Sequence, residues 1–187
     1  MNNLRIDMSI MLGEDRYEHT LGVAYTAANL AGIYGVDKDK AIRAGMLHDC
    51  AKCYDAEEVL YLCKKYDIKI TDVERRNPTA LLHGKVGAKL AADEYGEKDE
   101  AVLAAIECHT TGKPDMNMLE KIIFVADYIE PSRDKAPNLN EIRKLAFNDI
   151  DKCLVKILQD TLEYLIYKGS EIDPATKRTL EYYMRQQ

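Results

Sequence analysis

Four histidines and two aspartates are the residues of this chain whose types and spacing could do chemistry. In chain order they are His19, His48, Asp49, His83, His109 and Asp127. Imidazole nitrogen and carboxylate oxygen are the donors that a hydrolytic transition-metal centre uses. The series contains all four histidines of the chain, and we predict that it forms a set of metal ligands.

The two acidic positions are the strongest part of this prediction. Asp49 follows the apolar run 44–47, and Asp127 lies inside the mainly apolar stretch 122–129. A buried ionised carboxylate is costly unless it is paired or binds a cation, and aspartate has a poor helix propensity. For Asp127 the alternative to a metal is an ion pair with Lys121 or Arg133.

Each histidine taken alone has an ordinary alternative. His19 and His83 could be surface or satisfied core residues, and His109 a partly buried histidine favoured by the dipole at a helix end. One shared centre explains the whole set better. Six ligands exceed the four of a tetrahedral zinc ion, so we expect one octahedral ion with open positions or two adjacent ions. Mixed nitrogen and oxygen donors favour iron, manganese, cobalt or zinc.

Helical elements must position these residues, since apolar residues recur at helical intervals, as at Leu21, Ala24, Ala28 and Ala31. We predict an all-α fold with helices over 3–12, 14–34, 38–49, 55–66, 78–95, 99–110, 116–130, 140–147, 149–168 and 175–186. Predicted helix ends are Gly35, Gly96 and Gly169, and predicted N-caps are Asp37, Thr71, Asn77 and Asp173. Segment 131–140 is rich in helix breakers and follows Asp127 directly, which predicts a functional loop.

Composition and charge indicate the class of protein. The chain has 187 residues, 47% of them hydrophobic, and a net charge of −6. We expect a single domain over 1–187 with its metal core at about 14–130 and with C-terminal helices at 140–187 that complete the core or build an interface. A net charge of −6 leaves no broad basic surface, so we expect no nucleic-acid partner. No apolar run reaches the roughly 20 residues of a membrane span, and the N-terminus does not read as a signal peptide, so we expect a cytoplasmic protein.

The five cysteines are an odd number without the spacing of a disulfide framework. Cys50 and Cys53 form a CxxC pair, but a zinc ribbon would need a second pair. We interpret all five as small apolar-like residues on helices with no catalytic role.

Five segments together carry a resemblance to a known family. They are Arg16-x-x-His19, Leu47-His48-Asp49-x-x-Lys52, Leu82-His83-Gly84, His109-Thr110-Thr111-Gly112 and Ala126-Asp127-Tyr128-Ile129-Glu130-Pro131-x-Arg133. In this order, over roughly residues 1–187, the chain resembles the HD-domain metal-dependent phosphohydrolases, and specifically their YqeK-type bacterial branch of symmetrical bis(5′-nucleosyl)-tetraphosphatases. The one local oddity is Cys50, where an aliphatic residue would be expected.

The resemblance implies an HD-domain helical bundle that cleaves diadenosine tetraphosphate to two ADP through a metal-activated hydroxide. It implies one or two divalent or trivalent transition-metal ions, iron first, and a homodimer with the C-terminal helices as a candidate interface. Two other functions stay open: a nucleotidase or nucleoside-triphosphate phosphohydrolase on the same metal core, and a non-catalytic nucleotide- or metal-binding regulator.

The resemblance also implies roles for individual residues. His19, His48, Asp49 and Asp127 would hold a primary metal, and His83 and His109 a second one, with Asp49 bridging. Asp49, Lys52 and Arg133 are the predicted catalytic residues. Substrate contacts are expected from Arg16, Lys52, Thr110, Thr111, Gly112 and Arg133, with Lys113 adding charge. Lys52 and Lys113 could instead be solvated surface lysines, and Arg16 could pair with an acid.

Overall fold

The computed structural model describes residues 2–136 and 138–186, and Pro137 of the predicted loop lies outside the described residues. Twelve helices occur in this part of the chain, and no strand does, which confirms the predicted all-α class. The helices are α1 Asn2–Met11, α2 Glu14–Tyr34, α3 Lys38–Leu47, α4 Ala56–Lys65, α5 Asp72–Arg76, α6 Pro78–Leu81, α7 His83–Asp93, α8 Glu100–Cys108, α9 Met118–Ile129, α10 Leu139–Ala146, α11 Ile150–Lys168 and α12 Pro174–Met184.

Most of the predicted helix boundaries use the residues that the sequence indicated. Gly35 and Gly169 end α2 and α11 in the left-handed conformation, with φ of 69° and 64°. The side chains of Asp37 and Asp173 accept hydrogen bonds from the first backbone N–H groups of α3 and α12. Thr71 begins α5 with a capping box. These five predictions are confirmed.

Other boundaries differ from the prediction. The helix expected over 78–95 is two helices, α6 and α7, which are separated by the turn residue Leu82 at φ −98° and ψ −13°. Asn77 precedes α6 but makes no side-chain cap, since its amide donates to Val73 O instead. Gly96 lies in a left-handed turn beyond the end of α7 at Asp93.

Two more helices are shorter than predicted, and this affects the candidate ligands. Helix α3 ends at Leu47 and α8 ends at Cys108. His48, Asp49 and His109 therefore follow the last helical turn instead of lying within it.

Two close helix crossings organise the centre of the fold. A Cβ atom at Gly45 of α3 would lie 2.6 Å from the Cα atom of Ala24 in α2. A Cβ atom at Gly84 of α7 would lie 2.8 Å from the carbonyl oxygen of Glu107 in α8. Glycine is thus required at both crossings, because any larger side chain would push the helix axes apart. Helix α9 packs against α2, α3 and α8 and closes the core between the two crossings.

Helices α10, α11 and α12 complete the core on the side of α9. Ile142, Leu154 and Ile157 are buried there, and the backbone N–H of Met116 donates to the Tyr183 hydroxyl at 2.7 Å. None of the helices in residues 2–136 and 138–186 combines the length and apolar character needed to cross a membrane.

The cysteines are free thiols, four buried and one, Cys53, exposed. Cys50 and Cys53 lie in the turn after α3, so the expectation that every cysteine sits on a helix is wrong for this pair.

Candidate metal centre

Five helices bring the six predicted ligands to one place. His19 comes from the second turn of α2, His48 and Asp49 follow α3, and His83 begins α7. The remaining two, His109 and Asp127, follow α8 and lie within α9. All are buried except Asp127, whose side chain is 25% exposed and faces a cavity.

Asp49 lies between two pairs of histidines. Its Oδ2 atom is 3.5 Å from His48 Nε2 and 3.8 Å from His19 Nε2. Its Oδ1 atom is 3.4 Å from His83 Nε2 and 3.6 Å from His109 Nε2. One carboxylate therefore presents a separate oxygen to each histidine pair, which is the arrangement that a ligand bridging two cations needs.

The other donors complete two halves of the centre. Asp127 Oδ1 lies 3.1 Å from His19 Nε2 and 4.0 Å from His48 Nε2. In the second half, the Nε2 atoms of His83 and His109 are 3.1 Å apart. We call the group of His19, His48, Asp127 and Asp49 Oδ2 the first half, and the group of His83, His109 and Asp49 Oδ1 the second half.

Backbone carbonyl groups orient two of the imidazole rings. His48 Nδ1 lies 2.7 Å from Gly45 O, and His109 Nδ1 lies 2.8 Å from Ile106 O. A carbonyl can only accept, so each Nδ1 carries the proton and each Nε2 keeps its lone pair toward the centre.

The buried atoms of the centre fit a bound transition-metal cation. His19 Nε2, His48 Nε2 and Asp49 Oδ1 are buried and have no hydrogen-bond partner among the described residues. Buried polar atoms in proteins rarely stay unpaired. Two groups of three residues each bring their ligand atoms within 4.8 Å of one another. One group is His19, His48 and Asp127, and the other is His48, Asp49 and His109. The donor chemistry and the unpaired atoms both suit such an ion.

The pKa shifts of Asp49 and His83 agree with this fit, whereas burial lowers the pKa of His48 but the Asp49 carboxylate outweighs burial and raises it. Burial raises the pKa of Asp49, but His48 and His109 beside it outweigh burial and hold that pKa well below its usual range. Burial lowers the pKa of His83 well below the usual histidine value, and the neighbouring His109 lowers it further. Asp49 is thus ionised and His83 neutral at pH 7, the forms that bind metals.

Two arginines reach the carboxylates of the centre. Arg16 Nη1 lies 2.7 Å from Asp49 Oδ2, and Arg133 Nη2 lies 2.6 Å from Asp127 Oδ1. Both side chains are about two-fifths exposed, at 41% and 43%. Arg16 therefore pairs with an acid and Asp127 pairs with Arg133, which are the alternatives stated for these two residues. Lys121 pairs with Asp151 instead. An arginine on a ligand carboxylate does not exclude a metal, because each carboxylate has further lone pairs.

The remaining predicted contacts lie in different surroundings. Lys52 Nζ donates to Thr79 O at 3.1 Å, and burial lowers the Lys52 pKa. Thr110 Oγ1 lies 3.1 Å from His83 Nε2, at the second half of the centre.

The rest of the turn after α8 contacts other parts of the fold. Gly112 has a φ of 64° and packs against Thr179 of α12, where a Cβ atom would lie 2.7 Å from Thr179 Cγ2. Thr111 Oγ1 donates to Gly112 O, and Lys113 Nζ pairs with Glu120 at 2.6 Å.

A cavity of about 780 Å³ opens beside the first half. Its lining includes His19, Asp127 and Arg133 from the centre, together with Leu139 and Tyr164. Its volume lies within the range of about 300–1,000 Å³ that is typical of small-molecule sites.

Sequence reasoning gave no role to Glu130, which the structure places behind His19. Its carboxylate is buried and lies 3.0 Å from His19 Nδ1. Burial raises the Glu130 pKa, but hydrogen bonds from Ser132 and His19 outweigh burial and lower it. The signal available in the sequence was a third acid one helical turn after Asp127, at the end of an apolar stretch.

Comparisons with known proteins agree with this geometry. The HD domain family model matches residues 16–132. The chain is 41% identical over 180 residues to the symmetrical bis(5′-nucleosyl)-tetraphosphatase of Halalkalibacterium halodurans, covering 94% of this chain and 92% of that protein. It is 40% identical over 171 residues to the protein of the same name from Bacillus subtilis, covering 91% and 90%. The crystal structure of a predicted HD superfamily hydrolase involved in NAD metabolism from Clostridium acetobutylicum matches with a TM-score of 0.96 at 41% identity, covering 100% of this chain and 97% of that one.

Proposed function

The chain belongs to the HD-domain family and, within it, to the symmetrical bis(5′-nucleosyl)-tetraphosphatases, and we propose that its centre hydrolyses diadenosine tetraphosphate to two ADP. The observation that carries the proposal is Asp49, whose two carboxylate oxygens face separate histidine pairs at 3.4–3.8 Å. Such a bridge suits hydrolysis of a phosphoric anhydride, in which the charge on attacking, equatorial and leaving oxygens must be stabilised together.

The six ligands would hold the ions as two halves that share Asp49. The chemistry supplied by bound cations is the activation of a water molecule at neutral pH and the neutralisation of phosphoryl charge. Membership of the HD-domain family implies dependence on divalent metal. We propose iron as the native metal, with manganese, cobalt and zinc as alternatives, and metal analysis of anaerobically purified protein tests this assignment.

The arginines of the centre are placed to bind the polyphosphate. Arg16 and Arg133 each contact one ligand carboxylate and keep about two-fifths of the side chain exposed. Guanidinium groups match the oxygens of phosphate in geometry and charge. A polyphosphate at the metal ions would therefore meet the guanidinium group of Arg16 beside Asp49 and that of Arg133 beside Asp127. The leaving ADP needs no general acid, because a terminal phosphate group is a stable anion at neutral pH.

One nucleoside of the substrate would occupy the cavity beside the first half. Arg133 and Tyr164 both line this cavity, and Tyr164 on α11 is 58% exposed and offers a ring face for a base. We expect Tyr164→Ala to raise KM several-fold and to leave kcat nearly unchanged. Tyr61→Ala is the control, since Tyr61 is 67% exposed on α4 and does not line the cavity.

Product analysis tests the function directly. Metal-replete protein is incubated with diadenosine tetraphosphate, and the products are separated by anion-exchange chromatography. ADP as the sole product supports the proposal, whereas equal ATP and AMP would contradict symmetric cleavage. Release of orthophosphate from mononucleotides, with no attack on the dinucleotide, would support the nucleotidase instead.

For its assembly, we propose that the protein forms a homodimer through the C-terminal helices. Ile166 and Tyr167 of α11 are 67% and 86% exposed, which leaves apolar surface for a second copy. Light scattering of the protein and of Ile166→Asp tests it, and a monomeric wild-type mass would refute it.

A further inference from the structure

We infer that Glu130 is a positioning residue for His19 and makes the first half of the centre the tighter metal site. The inference rests on the proposed metal centre but not on any particular substrate. Of the four imidazoles, His19 is the one whose Nδ1 lies against a carboxylate, at 3.0 Å from Glu130 Oε1. Those of His48 and His109 face backbone carbonyl groups.

This difference matters because a carboxylate acceptor strengthens the ligand. A negatively charged acceptor fixes the Nδ1–H tautomer, orients the ring and increases the basicity of Nε2 more than a neutral carbonyl does. The first half also contains two ligand carboxylates, Asp49 and Asp127, whereas the second half has only one oxygen of Asp49 among the described residues. Glu130 adds a third carboxylate on the side of the first half, where Arg16 and Arg133 pair with the other two.

Glu130 is held in place from several directions. Its carboxylate accepts hydrogen bonds from the backbone N–H of Ser132 at 2.7 Å and from the Ser132 hydroxyl. Its own carbonyl oxygen accepts from Arg143 Nη2 at 3.0 Å, and Arg143 also donates to Ile129 O and Arg133 O. The Arg143 bonds fix the backbone at Glu130, and the carboxylate cannot turn away from His19 without breaking its two bonds from Ser132.

Helix α2 leaves space for this carboxylate at one position. A Cβ atom at Gly22 would clash with Glu130 Oε2 and lie 3.2 Å from its Cδ. Gly22 is therefore the residue that lets Glu130 approach the back of His19. Its replacement moves the carboxylate without removing its charge, which provides a second and independent test.

The experiment measures metal binding and not turnover. Cobalt(II) is titrated into chelator-treated protein, with calorimetry for affinity and stoichiometry and visible absorption for ligand geometry. We expect Glu130→Gln to bind cobalt(II) about 10-fold to 100-fold more weakly at the tighter site, because its amide oxygen still accepts from Nδ1 but lacks charge. Glu130→Ala should lose that site or bind there more weakly still. Gly22→Ala should weaken the same site and alter the absorption spectrum.

Matched variants separate positioning from general loss of stability. Glu120→Gln changes a glutamate that is equally buried, 1% exposed, but pairs with Lys113. Gly32→Ala changes a second glycine of α2, whose added Cβ would meet only the flexible end of Lys38. Both should bind cobalt(II) as the wild type does.

Two failures can be told apart. Wild-type protein without cobalt(II) binding would refute the metal centre itself. The other failure concerns the variants. If Glu130→Gln and Gly22→Ala have native circular dichroism and bind cobalt(II) with the affinity and spectrum of the wild type, the role of Glu130 alone is refuted. Weakening of the second site instead of the first would also overturn it.

Discussion

The substitution Gly84→Ala tests whether the close crossing of α7 and α8 builds the second half of the centre. Gly84 follows His83, and its added Cβ would lie 2.8 Å from Glu107 O and 3.1 Å from Ile106 O. Ile106 O is the acceptor for His109 Nδ1. Relief of the clash must therefore move the backbone that orients His109, or else move His83 away from it.

The magnitude follows from a comparison with Gly87 on the same helix. An added Cβ there meets nothing closer than 3.5 Å, which is ordinary contact. Gly87→Ala should thus be stabilising by about 0.4–1 kcal/mol through the unfolded state and helix propensity. Gly84→Ala has a similar gain but forces two backbones apart, at a cost of about 1–3 kcal/mol. The difference between the two variants isolates this cost.

Urea unfolding of the metal-free proteins, followed by circular dichroism, measures the difference. We expect Gly84→Ala to be less stable than Gly87→Ala by about 1–3 kcal/mol, or roughly 2–12 °C in Tm for a protein of this size. Cobalt(II) binding at the second half should weaken in Gly84→Ala and persist in Gly87→Ala. Stabilities that agree within about 0.5 kcal/mol would refute the reasoning, because surface-like substitutions also stay within this limit.

Three further predictions concern single side chains. Asp49→Ala should nearly abolish turnover and release metal while circular dichroism stays native; near-normal activity in metal-replete protein would contradict the mechanism. Arg133→Ala should raise KM or lower kcat without changing metal content, measured beside Arg76→Ala, an exposed arginine paired with Glu171; loss of metal would show that the Arg133 assignment is wrong. Burial raises the Glu74 pKa, but the ion pair with Lys85 at 2.6 Å and the hydrogen bonds with Thr71 together outweigh burial and lower it. The Glu74–Lys85 pair therefore stabilises the fold above the usual glutamate pKa, and this stabilisation is lost as pH falls through the lowered value. Glu74→Gln should therefore cost about 1–3 kcal/mol at pH 7 and much less near roughly pH 3, by urea unfolding at both.

Much of the fold follows from local rules that the sequence displays. Gly35, Asp37 and Thr71 end or begin helices for reasons of backbone conformation and hydrogen bonding within one turn. The break at Leu82 was not predictable in this way. Leu82 is fully buried, has backbone angles in the α region and accepts a hydrogen bond from Val86 N–H, and no breaker residue marks the interruption. Tertiary packing decides it.

The candidate site shows the same limit. His48 and Asp127 could be selected because they combine a ligand side chain with an apolar context. Glu130 also ends an apolar stretch, but its role could not be assigned because it depends on Gly22, more than a hundred residues earlier, and on Arg143 beyond the loop. The cavity at Tyr164 likewise depends on how α11 meets the loop after α9, which no local pattern encodes.

The ends of α3 and α8 explain why two of the ligands are histidines that follow a helix. The last four carbonyl groups of a helix have no partner within it. Gly45 and Ile106 lie in these last turns, and each accepts from the Nδ1 of a histidine three residues later. The same hydrogen bond satisfies a buried carbonyl and leaves Nε2 free toward Asp49. A histidine at such a position can therefore be both a helix cap and a metal ligand. The capping hydrogen bond holds the ring in the orientation in which Nε2 can bind a cation. His19, in the interior of α2, has no free carbonyl of this kind, and Glu130, the residue after α9, takes its place.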